Sequence, residues 1–334
     1  MFEEFKGHDI GVYASYLADN SDVLKSASGG VATAMSRQML KNGGVVAGVA
    51  YTSDFHNAEY VIVDKEENLE ILRGSKVFMP KQNDVQDRIR GYLEKSIPVL
   101  FFGLPCTVAA LKKKFEPELM DKLILCELIC SGRTSRKVHE EYIKHIEKQF
   151  GSNVTSFNVR GKKDSWLPEY IIASFANGKV FKFPFKQTVY GQGFKVLKDE
   201  ACLSCKFKGN NRQGDIMIGD FWGATQQDLF WNDCGVSVVF AETKKGNDFF
   251  TSVEELNSFE TSFEKAVEGN PSVIRPAKAH EERSKVYSFF KSEGLFAAMN
   301  KTKVMKRIQR NHLLSKYHLD WLRKFYLGIK KVIK

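Results

Sequence analysis

The chain has 334 residues, 43% hydrophobic and 27% charged, which suits a folded globular protein with two modest cores and an appendage. No apolar run approaches the roughly 20 residues that span a bilayer, and MFEEFKGHDIG lacks the basic, apolar and small-residue parts of a signal peptide, so a cytoplasmic protein is expected. Its six cysteines are then expected to be free, metal-bound or catalytic rather than disulfide-bonded. The formal net charge of +10 lies wholly in residues 301–334, which hold eleven Lys and Arg against one acid, Asp320. The neutral body argues against a nucleic-acid partner.

SASGGVATAMSRQMLKNGG reads as a loop and a helix capped by Ser28, with a tight turn at Gly29 and Gly30 and an end at Gly43. Ala32, Met35, Met39 and Leu40 supply its buried stripe. VVAGVAY and YVIVD read as strands, RGSKVFMP as a turn and 82–95 as a helix. PVLFF is a buried strand, GLPC a tight turn, TVAALKKKF a helix and KLILCELIC another strand. SRKVHEEYIKHIEKQF is an amphipathic helix ending at Gly151. This alternation predicts a mixed α/β fold, a largely parallel sheet with flanking helices. From 153 to 186 the β-rich texture, with a turn at Asn177-Gly178, predicts an inserted antiparallel part. DIMIGDFW and VSVVFAET follow as buried strands, and 246–298 reads as mostly helical. The expected division is 1–95, 96–265 and a helical region, 266–334, ending in a basic tail.

Cys202 and Cys205 form C-x-x-C, and Cys106 and Cys130 each follow a strand at a turn. In neighbouring parallel strands those two thiols emerge at one carboxyl edge, where open α/β sheets place ligands. Four converging thiolates suit an iron–sulfur cluster or a structural zinc; C-x-x-C alone also suits a redox dithiol, and Cys106 and Cys130 alone suit simple burial. Cys126 and Cys234 are assigned to packing.

Ser28, Gly29 and Gly30 before a helix offer backbone N–H groups to a phosphate, or form an ordinary capped helix. Arg73, Gly74, Ser75 and Lys76 suit a pyrophosphate or a plain surface turn. Arg160, Lys162 and Lys163 near Trp166 suit a phosphorylated or flat conjugated ligand or a solvated hairpin end. Asp215 and Asp220 lie five apart and form no acid/base dyad, Asp220 being a candidate to orient the cysteine loop. In the tail, Leu314, Tyr317, Trp321, Phe325, Ile329 and Val332 recur at helical spacing among lysines, which suits an anionic membrane surface or packing against the body.

In order, SASGGVATAM, RGSKVFMP, FFGLPCTVAALKKKF, ELICSG, NVRGKKDSW and CLSCKF…GDIMIGDFWG resemble the coenzyme F420 hydrogenase/dehydrogenase beta-subunit family, from about Lys25 to Ala298. The resemblance implies an iron–sulfur flavoprotein oxidoreductase with FAD and a [4Fe-4S] cluster. It implies Cys106, Cys130, Cys202 and Cys205 as cluster ligands, and Ser28, Gly29, Gly30, Arg73, Gly74, Ser75 and Lys76 as flavin contacts. Many members carry an N-terminal ferredoxin segment; here the chain opens at the flavin-type part, so a separate ferredoxin-like or other donor protein is expected. ELICSGRTS replaces the familiar I-C-H-G-V-P-S, which leaves the substrate open: a glycan precursor, another conjugated small molecule or deazaflavin coenzyme F420. Relatives of this shorter kind occur in surface-polysaccharide biosynthesis, a setting that fits a protein peripheral at the inner face of the membrane. The rival expectation is a zinc-stapled or cofactor-free accessory protein.

Overall fold

A computed structural model describes residues 11–316, with side chains as far as Arg310. Eight strands form one sheet in the order β11-β1-β10-β9-β5-β4-β2-β3, and three form a second, β6-β7-β8. In the large sheet β1 is Gly11–Leu17, β2 Val45–Tyr51, β3 Ala58–Val63, β4 Val99–Gly103, β5 Leu123–Leu128, β9 Ile216–Asp220, β10 Ser237–Ala241 and β11 Leu256–Glu260. The run β2-β4-β5-β9 is parallel, and antiparallel β3 on one side and β10, β1 and β11 on the other complete it. The fold is thus mixed α/β, as expected.

The central strands are largely apolar because both faces are covered, with Glu127 of β5 and Asp220 of β9 as the charged exceptions near their carboxyl ends. Val99 and Phe101 of β4 pack with Val85, Ile89 and Leu93 of α3 (Val85–Glu94) and with Val108 and Leu111 of α4 (Pro105–Lys112). Leu100 and Phe102 point the other way, into a core with Val31, Ala34, Met35 and Met39 of α2 (Val31–Lys41). The two-residue period of a strand divides one run between two cores, and each buried Leu or Phe contributes about 2 kcal/mol. Fully buried Cys126 belongs to the α2 core and Cys234 packs at its margin.

Between β5 and β9 the chain inserts α6 (Arg136–Phe150), the antiparallel strands β6 (Val154–Gly161), β7 (Tyr170–Phe175) and β8 (Val180–Pro184), then α7 (Val189–Val196) and short α8 (Glu200–Leu203). Gly151 ends α6 at φ 65°, and Gly178 turns β7 into β8 at φ 79°. After β10 come α9 (Lys244–Thr251), β11 and α10 (Phe263–Glu268). The stretch read as helical thus contains an edge strand, and β1 too arises where no strand was read. β11 is mostly exposed and carries little apolar alternation. The helices α11 (Arg283–Glu293), α12 (Leu295–Asn300) and the start of α13 (Lys303–Lys316) pack on α6, α7 and the small sheet.

Met305 is buried and Ile308 packs on that core, while Lys303, Lys306, Arg307 and Arg310 are exposed. The tail helix therefore begins against the body. Of the amphipathic stripe, Leu314 lies in α13, but its side chain and the residues from Tyr317 through Val332 lie outside the described residues. No described helix is long and apolar enough to cross a membrane.

His139 of α6 joins the insertion to the large sheet. It is fully buried, stacked on Phe78 at 4.1 Å, and bonded to the Tyr190 hydroxyl and the Phe55 carbonyl, each at 2.8 Å. The carbonyl can only accept, so Nε2 carries the proton and Nδ1 accepts from Tyr190. Burial pushes the imidazole down to about 4, whereas an unfolded histidine titrates near 6.5. Stability from this group is therefore full above about pH 6.5 and is lost as pH falls toward 4, by up to ~3 kcal/mol. We expect His139→Gln to flatten the decline in unfolding free energy between those pH values; an unchanged slope in denaturant titrations would contradict this.

Candidate cofactor and substrate cavity

One cavity of about 580 Å³ opens along the carboxyl edge of the parallel strands, where Gly103 ends β4, Leu128 ends β5 and Asp220 ends β9. Register puts these ends together. Gly103 pairs with Glu127, and β9 begins level with the middle of β5, Ile216 opposite Cys126. That offset lets the loop after the C-x-x-C pass the end of β5. Glu127 fastens it, accepting from the N–H groups of Gln213 and Gly214 at 2.8 and 3.0 Å.

The first wall of the cavity is the turn before α2. Ser28 and Gly30 line it, with Arg73, Gly74, Ser75 and Lys76 beside them. Ser28 does not cap α2: its hydroxyl donates to the Val236 carbonyl at 2.9 Å, and Gly30 is the N-cap at φ 87°. Gly29 lies against β1 and β10, where a Cβ would come within 2.4 Å of the Ser15 carbonyl oxygen. Its N–H is taken by the Ser237 hydroxyl, so it shapes the turn. Arg73 meets Asp22 at 3.0 Å, with Glu70 at the same distance. Lys76 donates to the carbonyls of Ile71, Leu72 and Arg73, and burial brings its ammonium down to about 7.

Lys162, read only as part of a basic cluster, is buried and ties this wall to the sheet. Its ammonium donates to the carbonyls of Val23, Ser28 and Cys234 at 2.9, 2.5 and 2.6 Å. Burial lowers it to about 8. Lys163, by contrast, is exposed beside Asp164.

The second wall carries Cys130, with the other candidate thiols nearby. Cys106 is the second residue of α4. Burial raises its thiol, and charge on Cys205 and Cys202 raises it further, against Arg133. Burial likewise raises Cys130, with Cys202 and Cys106 adding to it. Cys106 thus lies within electrostatic range of Cys202 and Cys205, and Cys130 within range of Cys202 and Cys106. Lys208 donates to the carbonyls of Cys130 and Ser272, each at 2.5 Å, and Lys198 donates to Ser131. Among the described residues no three His, Cys, Asp or Glu side chains are already set around a metal position. Four thiols are the donor types of a four-cysteine centre; burial, which raises Cys106 and Cys130, disfavours their thiolates, and a bound cation would reverse that balance.

The third wall combines Arg160, Glu169, Lys186, Asp220 and Trp222. Arg160 bonds Asp220 at 2.8 Å and pairs with Glu169; burial works against its charge, and Asp220 and Glu169 more than offset that. Asp220 thus fixes Arg160 rather than the cysteine loop. Asp215 acts on the sheet itself, accepting from the Leu125 N–H at 2.9 Å. Glu169, Lys186 and the platform role of Trp222 carried no sequence signal, because β7, β8 and the turn after β9 bring them together only in the fold.

Two family models match the chain, those of the N-terminal and C-terminal parts of the coenzyme F420 hydrogenase/dehydrogenase beta subunit, the first over residues 12–83 and the second over 98–266. The chain belongs to the coenzyme F420 hydrogenase/dehydrogenase beta-subunit family. Among solved structures it is similar to a chain of the F420-reducing [NiFe] hydrogenase complex from Methanosarcina barkeri, with 16% identity, 87% of this chain and 96% of that chain covered and a TM-score of 0.54. That likeness shows a shared fold. The search of curated proteins found no match. Membership in the beta-subunit family indicates an oxidoreductase.

Removing the Lys162 ammonium strips three carbonyls of a charged donor, each such bond being worth roughly 1.5–3 kcal/mol. Lys162→Met is expected to speed hydrogen exchange in residues 26–31 by at least about tenfold, a 1.4 kcal/mol change, without unfolding the protein. Unchanged exchange would remove Lys162 from its place as a tie.

Proposed function

We propose that the chain is an iron–sulfur flavoprotein oxidoreductase that moves electrons between a [4Fe-4S] cluster, FAD and a small substrate. One observation carries the reading: a single cavity joins the Ser28–Gly30 turn and the Arg73–Lys76 segment to Cys130 and to Trp222. Cys106, Cys130, Cys202 and Cys205 would hold the cluster. Ser28, Gly29, Gly30, Arg73, Gly74, Ser75 and Lys76 would hold FAD. Such a pair passes single electrons at the cluster and two-electron or hydride equivalents at the flavin.

The residues supply binding, charge and exclusion of water. Gly30 gives the turn its left-handed step, and Lys162 puts a positive charge behind Ser28. Lys76, when protonated, adds a cation where a pyrophosphate or an electron-rich ring gains from it, and Arg73, paired with Asp22 and Glu70, holds the segment in place. Lys208 and Lys198 put further cations beside the Cys130 turn, where positive charge favours a reduced centre. Leu104, Leu128 and Ile129 line the same space and keep the path between the two positions apolar.

A separate ferredoxin-like donor would deliver electrons near Cys202 and Cys205, which are partly exposed beside exposed Lys206. The substrate would be a glycan precursor or another conjugated small molecule, coenzyme F420 among them, in surface-polysaccharide biosynthesis. The basic tail, 301–334, would bring the protein to the inner face of the membrane.

Anaerobic purification with iron, sulfide, zinc and flavin assayed together tests the reading. About four irons per chain and one FAD are expected, and Cys202→Ser should lose iron while the protein stays folded. Stoichiometric zinc without flavin would replace this reading by that of a stapled accessory protein.

A further inference from the structure

The third wall of the cavity is built like a binding platform. Trp222 is 40% exposed although the neighbouring Trp166 is only 4% exposed. Its ring stacks on Trp166, centroids 5.4 Å apart and planes 12° from parallel. Trp166 is fixed in turn, its backbone N–H on the Asp233 carbonyl at 2.7 Å, and Trp231 donates to the Asp233 carboxylate at 2.8 Å. A lone exposed aromatic is ordinary on a protein surface. An aromatic held from behind, with its open side in a cavity, is a stacking surface.

Polar groups around the ring narrow what it stacks. The Arg160 guanidinium lies 5.7 Å from the ring centroid and the Lys186 ammonium 5.9 Å. Arg160 is neutralised by Glu169 and Asp220. Lys186 is exposed and makes no ion pair among the described residues. Asp220 is turned to Arg160, and its other oxygen, Oδ1, is buried. The free ammonium of Lys186 calls for an anion. A bare phosphate satisfies Lys186 alone, and an unsubstituted flat ring satisfies Trp222 alone.

We propose that the Trp222 end of the cavity binds the substrate, and that this substrate is a ring with an apolar face carrying an anionic group, a sugar phosphate in its simplest form. The apolar face of the ring lies on Trp222 and the anion meets Lys186. Calling the ligand a substrate rests on the flavoprotein reading; the site itself does not.

The test uses the full chain, purified anaerobically with whatever it carries, and follows tryptophan fluorescence and calorimetry with glucose 1-phosphate, glucose and inorganic phosphate. Glucose 1-phosphate should bind at least about tenfold more tightly than either fragment, the size of effect one aromatic stack gives. Trp222→Ala should weaken it by a similar factor, and Lys186→Met should abolish the preference over glucose, both with unchanged melting and unchanged flavin and iron content. No binding by the wild type, or equal binding by Trp222→Ala, would overturn the proposal; so would loss of flavin from Trp222→Ala, which would give the ring to the flavin seat. Selective binding by a protein without flavin or iron would sink the flavoprotein reading and leave this site standing.

Discussion

Parallel pairing of β4, β5 and β9 is the constraint on which the rest depends. Parallel strands place all their carboxyl ends on one edge, so the turns that follow them must share a small volume. The register, with Ile216 level with Cys126, then settles which turns meet. Burial of β4 throughout and of β5 and β9 up to their carboxyl ends makes that register costly to change, since a one-residue slip moves every side chain to the other face.

Lysines bonded to backbone carbonyls, Lys162 buried and the others partly so, hold the turns in place. Lys162 gathers Val23, Ser28 and Cys234; Lys76 closes the segment before Arg73; Lys208 and Lys198 grip the turn at Cys130. A carbonyl is a dipole, not an anion, so these contacts leave much of the positive charge uncancelled. Burying such a cation is expensive, and the depressed Lys76 and Lys162 register that cost. Where these lysines keep their protons, their counterpart is a cavity that favours anions. On the third wall Arg160 is cancelled by two carboxylates, as Arg73 is on the first, and exposed Lys186 makes no ion pair among the described residues.

Much of this was legible in the sequence, and what escaped has identifiable causes. PVLFF and KLILCEL announced themselves because strands covered on both faces are largely apolar. The antiparallel insertion showed through its β-rich runs and the Asn177-Gly178 turn. β11 did not, since an edge strand with little burial has no pattern to read, and β1 escaped although β10 and β11 flank it. Ser28 had the chemistry of a cap, but the fold commits its hydroxyl to Val236 and leaves the cap to Gly30. Lys162 looked like a solvated charge because nothing local shows that three carbonyls from distant turns converge on it. Cys106, Cys130, Cys202 and Cys205 could be named from spacing and resemblance; Glu169, Lys186 and the stacking role of Trp222 required the three-dimensional arrangement.

The most direct measurement is iron-edge anomalous diffraction from anaerobically grown crystals, read with the electron density of the cavity. An iron peak bounded by Cys106, Cys130, Cys202 and Cys205 is expected, with a flavin whose phosphates lie against the Ser28–Gly30 turn and the Arg73–Lys76 segment. An anomalous peak from zinc at the four cysteines, or a cavity whose flavin density lies away from the glycine turn, would contradict the iron–sulfur flavoprotein reading.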